Sequence, residues 1–516
     1  NNRRLALYTE AMREVAAEKK VPFVDLFTPM AARYLESKKP LTMNGVHLNT
    51  DGNRVLAEVI DQALFGKGDA YSWDKLERMR QAVIDKNFAW FNLYRTVDGY
   101  NVFGGRSKLA WFGQSNADVM QREMEIFDVM AKNRDRRIWA LAIGSDLTID
   151  DSNTPPLLEV KTNKPGPLED GRHPFLGGEE AIEKMDIAEG MQVNLFASEE
   201  QFPDLVNPVQ MAVDTDGRLW VATWPTYPHW NPKKPLADKI LILPDDNADG
   251  KADRAVVFAE GLNSITGFEF WGGGVIVAAA PELLFLKDTD GDDRADLKIR
   301  MLQGISAEDT HHTANALTIG PDGGLYFSHG IFHVDNMETP TRTFRSTNSG
   351  VYRFDPRTYE IDFHFPIGPN PHGIAFDQWG FQFASDGTSG TGNYISIGKG
   401  VGAPKQWYQK RVRPVPAIGF LSSSHFPSEN NGNFLICNSI GFLGVLQHRV
   451  EYDGADINAI EIEPILVSAD PNFRPTDVEV AGDGALYVSD WCNPLIGHMQ
   501  HNVRDPNRDD AHGRVY

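Results

Sequence analysis

DTDGRLWVATW, residues Asp214–Trp224, sets the reading of the whole chain. Gly217 supplies the positive φ that a tight turn demands, and LWVATW follows at once with the branched and aromatic side chains of a strand. The same phrase returns in FWGGGVIVAAA at Gly272, GPDGGLYFSHG at Gly323, DQWGFQFASDG at Gly380, NNGNFLICNS at Gly432 and GDGALYVSDW at Gly484. Successive glycines lie 55, 51, 57, 52 and 52 residues apart. A β-sandwich places its turns every ~8 to 12 residues without such a longer beat, whereas a repeat of roughly 50 residues suits one four-stranded blade. Six units predict a six-bladed all-β propeller over residues 179–516.

Upstream, the period changes from alternating to helical. Leu5, Tyr8, Met12 and Val15 fall at helical spacing, and VPFVDLF, Val21–Phe27, reads as a short buried strand. After the loop LTMNGVHLNTDGN comes a second apolar stripe, Val55, Leu56, Val59, Ile60, Ala63 and Leu64, capped by Asn49 or Thr50. Long helical patterns continue from Asp74 to about Ala142, broken by the glycine- and aromatic-rich YNVFGGRSKLAWFG. Residues 1–149 thus read as an α/β domain. TPPLLEVKTNKPGPLEDGRHPFLGG clusters Pro and Gly with no apolar period, so residues 150–178 read as a linker.

Bulk composition agrees. A chain of 516 residues exceeds the roughly 250 to 300 at which a single core stops growing. With 41% hydrophobic and 23% charged residues it needs no extended disorder. Lys and Arg total 50 against 71 Asp and Glu, and the net charge of -21 has the wrong sign for a nucleic-acid or anionic-membrane footprint. A neutral or cationic ligand, or a metal, is easier to accommodate. No apolar run reaches the ~18 residues of a transmembrane segment. Asn1 opens directly into helix-like text without a Met or a basic-then-apolar leader, which reads as a fragment or processed form. Cys437 and Cys492, the only cysteines, exclude a disulfide scaffold and a CxxCH haem site within this chain and read as small buried residues on separate strands.

Several stretches carry chemistry. DDNADGKAD offers Asp245, Asn247, Asp249 and Asp253, and DTDGDDRAD, 43 residues on, offers Asp288, Asp290, Asp292 and Asp296. Oxygen donors at alternate positions around a turn glycine suit a hard cation such as calcium, most simply as a structural clamp; solvated acidic turns are the plainer reading. No glutamate closes either loop at the twelfth position of an EF-hand. His311 and His312 stand on a loop just before a blade strand, where side chains reach the mouth of a propeller, and either can act as general base near neutral pH. WPTYPHW, Trp224–Trp230, suits stacking on a sugar ring or packing between blades.

His312 stands eight residues before Gly320 of GPDG, a spacing that resembles the catalytic histidine of soluble quinoprotein glucose dehydrogenases. More broadly, FRPTDVEVAGDGALYVSDWCNPLIGH and the ending DPNRDDAHGRVY resemble the propeller of membrane-bound dehydrogenases of planctomycete-type bacteria, across most of residues 190–516. This likeness implies a periplasmic or exported protein, with a c-type cytochrome as electron partner. It implies that His312 takes a hydroxyl proton while hydride passes to pyrroloquinoline quinone, with calcium as Lewis acid. Arg474 in FRPTD, Asn370 and His372 in NPHG, and His311 would then contact cofactor or substrate, a small sugar or polyol.

VPFVDLF followed by NGVHLNTDGNRVLA resembles the last block of an SGNH (GDSL-type) hydrolase, with His47 at the catalytic position. That family places an Asp three residues before the His, where this chain has Asn44, which brings no charge to an imidazolium. The expectation is a partial, inactive hydrolase domain beside a sugar-oxidising propeller. The alternative is a non-catalytic carbohydrate- or protein-binding propeller fused to an esterase or deacetylase of polysaccharides.

Overall fold

A computed structural model describes residues 2–66, 68, 73–395, 404–409, 412–454 and 456–516. Six antiparallel sheets stand around a common axis. Their innermost strands are Pro208–Val213, Ile265–Trp271, Asn315–Ile319, Pro371–Phe376, Ile418–Leu421 and Pro475–Val480. Each packs beside the next, and the sixth packs against the first, so the ring is closed. All six glycines of the repeat sit in the hairpin between a blade's first and second strands, with φ between 60° and 85°.

Closure joins the two ends of the propeller sequence. The sixth blade runs Pro475–Val480, Leu486–Asp490, Arg514–Val515, and its outer strand is Ala197–Ser198, which precedes the first blade. Met185–Ile187 adds a fifth strand to the fifth blade by pairing with Asp456–Ser468. Pairing both ends into sheets leaves fewer open edges. The core lies between blades: Trp220, Ile240 and Phe258 of the first pack with Phe268, Val275 and Val277 of the second. Leu283 and Phe285 of the second pack with Leu325, Tyr352 and Phe354 of the third.

The N-terminal region is mainly helical, with α-helices Asn2–Lys19, Phe27–Glu36, Thr50–Phe65, Trp73–Tyr94 and Asn116–Ala142. Asn49 caps the third of these, accepting from the Gly52 N–H, and Ser115 with Asp118 forms a capping box on the last. Val21–Phe27 does not form the expected strand. Residues 21–26 join no sheet among the described residues, and Val21 is 54% exposed; without a neighbouring ladder an isolated apolar run gains no strand. The stripe Leu5, Tyr8, Met12 and Val15 is helical as expected but exposed, while Thr9 and Ala16 are buried. Cys437 and Cys492 are buried and free, but only Cys437 lies on a strand.

Residues 97–142 belong with the propeller. Asp98 and Tyr100 donate their main-chain N–H groups to the carbonyls of Ala307 and Glu308. Glu123 receives a two-pronged contact from Arg504, at 2.7 and 2.8 Å. Val102, Met120 and Phe127 pack on Trp230 and Val503. The linker also lies on the propeller: Asn163 donates to the Gln500 carbonyl and Lys164 to that of Pro494. No described helix is long and apolar enough to cross a membrane.

Candidate active site

In an antiparallel blade, the segments entering the innermost strands share one face with the connections between second and third strands. That face gathers Thr310–His312, Asn370, Arg474, the WPTYPHW segment and residues 491–513. They surround a cavity of about 780 Å³ lined by His311, His312, His372, Arg474, His498 and Trp224, among others. The five mouth residues picked from sequence, His311, His312, Asn370, His372 and Arg474, therefore meet at one opening.

A single 3₁₀ turn, Thr310–His312, sets the histidines. Asp309 caps it, its Oδ1 accepting the His311 N–H at 3.2 Å. Asp309 Oδ2 lies 3.1 Å from His312 Nδ1, and His498 Nε2 lies 4.0 Å from Oδ1. Arg106, from the helical region, pairs with the same carboxylate. Burial alone would raise the Asp309 carboxyl, but His498, His312 and Arg106 outweigh it and hold it well below the usual carboxylate range.

His311 has a defined tautomer. Tyr227 Oη accepts the Gly497 N–H at 3.0 Å and lies 2.8 Å from His311 Nδ1. Burial raises that phenol to about 12, so the hydroxyl donates and Nδ1 accepts, leaving the proton on Nε2. Burial lowers His372 to about 4, and burial with the adjoining His498 and His312 lowers His311 well below its ordinary value, so both rings are neutral.

Asn370 and Arg474 occupy equivalent places, each preceding the Pro that starts an innermost strand. Their main-chain N–H groups donate to Asp386 and Asp490, at 2.6 and 2.8 Å. The Asn370 Oδ1 and Arg474 Nε atoms are buried without partners. The WPTYPHW segment divides its work: Trp224 lines the cavity, while Trp230 packs against Phe88 and Phe127 of the helices.

The cavity has the opposite charge tendency to the chain. Lys164, Arg413 and Arg474 line it, while its carboxyls Glu269 and Asp477, on innermost strands, are raised to about 7 by burial, and burial also raises Glu479 well above its ordinary value. The mouth therefore offers basic side chains that the net charge of the chain does not reveal. Anionic groups fit it.

The acidic loops lie elsewhere. Residues 244–255 and 288–296 join third to fourth strands, on the face of the turn glycines and away from the mouth. Arg218, beside Gly217, reaches Asp293 on that far face. Asp288, Asp290 and Asp292 bring carboxylate oxygens within 4.8 Å of one another, a set that suits a hard cation. Asp296 instead takes Thr289. In the other loop Asp245 and Asn247 accept main-chain N–H groups of their own turn, Asp249 caps Lys251, and Asp253 receives Asn247. None of these eight residues can present a Lewis acid to His312, because the length of the blades separates them. His47 does not line the cavity: its Nδ1 lies against Asn44 and its Nε2 is 2.7 Å from Glu338, in the hairpin that joins the third blade's second and third strands.

Sequence reading missed Asp309, Arg106, His498, Tyr227 and Lys164. Asp309 was detectable, since Asp309–His312 has the Asp-x-x-His spacing sought unsuccessfully at Asn44–His47.

Fold and site together define a six-bladed propeller whose histidine-rich axial mouth is flanked by a helical segment. The chain belongs to the DUF7133 family, a domain of unknown function, which matches residues 177–415 and 410–516. No curated protein matches the sequence. Similar solved structures include the holo PQQ domain of pyranose dehydrogenase from Coprinopsis cinerea, at 14% identity over 64% of this chain and 96% of that one, with TM-score 0.41. The PQQ-bound aldose sugar dehydrogenase of Streptomyces coelicolor is 14% identical over 64% and 97%, with TM-score 0.37. A gluconolactonase of Xanthomonas campestris is 12% identical over 60% and 86%, with TM-score 0.38.

Proposed function

We propose that the propeller mouth is an oxidoreductase site that removes two electrons and two protons from a sugar or polyol carbinol. The observation that carries this reading is His312 at the cavity with the ionised, buried Asp309 3.1 Å from its Nδ1. The charge of Asp309 stabilises the imidazolium that forms when Nε2 takes the substrate hydroxyl proton, while Arg106 keeps that carboxylate in place. The residues present fit pyrroloquinoline quinone, a tricarboxylate, because Lys164 and Arg474 line the cavity with no carboxylate within ion-pair distance among the described residues and Arg474 Nε lacks a partner among them. When bound, that quinone supplies the two-electron acceptor for the carbinol hydride. Asn370, His311 and His372 border the same space, and Trp224 offers an aromatic face to a sugar ring.

In this reading the protein is exported or periplasmic and passes electrons to a c-type cytochrome. Calcium in the far-face loops clamps the first two blades and takes no part in the chemistry. The N-terminal helices are the remnant of an SGNH-type domain whose esterase chemistry is lost, consistent with Glu338 rather than a serine at His47 Nε2. Titrating the purified chain with the quinone and following its absorbance, then dye reduction with aldoses and polyols, tests the proposal. A silent titration leaves a carbohydrate- or protein-binding propeller instead.

A further inference from the structure

Asp309, His312 and His498 bring a carboxylate and two imidazoles together from the third and sixth blades. One ligand atom from each lies within 4.8 Å of the other two, and the residues are 0, 6 and 2% exposed. The contacts among them are poor as hydrogen bonds. His312 Nδ1 is 3.1 Å from Asp309 Oδ2 yet makes no hydrogen bond, and the 4.0 Å from His498 Nε2 to Oδ1 exceeds hydrogen-bond reach. Two donor atoms each about 2.0 to 2.1 Å from one ion are separated by roughly 3 to 4.2 Å. The separations of 3.1 and 4.0 Å from Asp309 fall in that range.

We infer that Asp309, His312 and His498 bind one divalent transition-metal cation of the zinc class. Two imidazole nitrogens with one carboxylate oxygen suit zinc, cobalt or iron rather than calcium or magnesium, which take oxygen sets. Arg106 pairs with Oδ2 and the His311 N–H donates to Oδ1, and each carboxylate oxygen keeps a further lone pair for the ion. Because His312 and His498 also line the cavity, the remaining coordination positions open onto it.

The ion competes with the proposed proton transfer. A cation on His312 Nδ1 fixes that ring as the Nε2–H tautomer and withdraws the lone pair that would accept the substrate proton. This consequence rests on the oxidoreductase reading; metal binding itself does not.

The test uses the full, metal-stripped chain without quinone. Cobalt(II) should bind with a stoichiometry of one and show visible d–d bands, and zinc should displace it. His498→Ala and His498→Asn should each weaken binding at least ~100-fold while the far-ultraviolet circular dichroism of the wild type is retained, and His312→Ala should do the same. Asp288→Asn should leave binding unchanged. Absence of cobalt bands in the wild type, unchanged binding in either folded His498 variant, or loss of binding in Asp288→Asn would overturn the assignment.

Discussion

Arg106 of the helical region and Asp309 of the third blade form an ion pair whose side chains are 4% and 0% exposed. The pair joins positions 203 residues apart and makes the helices part of the propeller's mouth. Removing one member of a buried pair leaves an uncompensated charge, at a cost of about 3 to 5 kcal/mol. Arg106→Ala should therefore shift the urea midpoint strongly downward and, in any turnover assay, lower kcat more than it changes KM. A loss below about 1 kcal/mol would show that the pair contributes little to joining the helices and the ring.

Glu269 in the channel lends itself to a pH test. Its N–H donors lower its pKa, but burial dominates and raises it from 4.5 to about 7. The folded state then holds a proton that the unfolded state releases above pH 4.5, so the stabilisation is full below that value and fades as pH rises through 7. Relative to Glu269→Gln, the wild type should lose up to about 3 kcal/mol between pH 4 and pH 8. Parallel stability curves for the two proteins across this range would refute the protonated channel carboxyl.

The separation of the acidic loops from the mouth also has a measurable outcome. Asp288→Asn with Asp292→Asn should reduce any calcium-dependent rise in Tm. The affinity of the mouth for an anionic ligand should stay within about twofold, since Asp288 and Asp292 do not line the cavity and exposed distant charges are screened beyond about 10 Å. Parallel loss of both would place the ion's influence in the chemistry.

Tyr227 should fix more than packing. Tyr227→Phe strands the Gly497 N–H and frees His311 Nδ1, at a cost of about 1 to 3 kcal/mol for the unsatisfied donor. His311 should then populate both neutral tautomers, visible in its ¹⁵N shifts. A spectrum still showing the Nε2–H form alone would mean that another contact sets the ring.

What was legible in the sequence was local. Gly217 and its five counterparts announced the blades because a turn residue is specified by its own backbone angle, and Asn49 announced a helix start because a cap acts within three residues. His312 and Arg474 were visible because each stands just ahead of an innermost strand. Arg106 and His498 were not, because their meaning comes from Asp309, brought near only by the closed ring. Val21–Phe27 misled for a related reason: its composition suits a strand, but a strand needs a partner that the fold does not supply there.

The most direct test of the central proposal is quinone-dependent oxidation by wild type and His312→Gln, with cofactor affinity measured separately by absorbance. The expected result is saturable binding in both proteins, turnover of an aldose or polyol in the wild type, and a fall in kcat of at least ~100-fold in the variant. Failure of the wild type to bind the quinone, or equal turnover by the two proteins, would contradict a redox site at the propeller mouth.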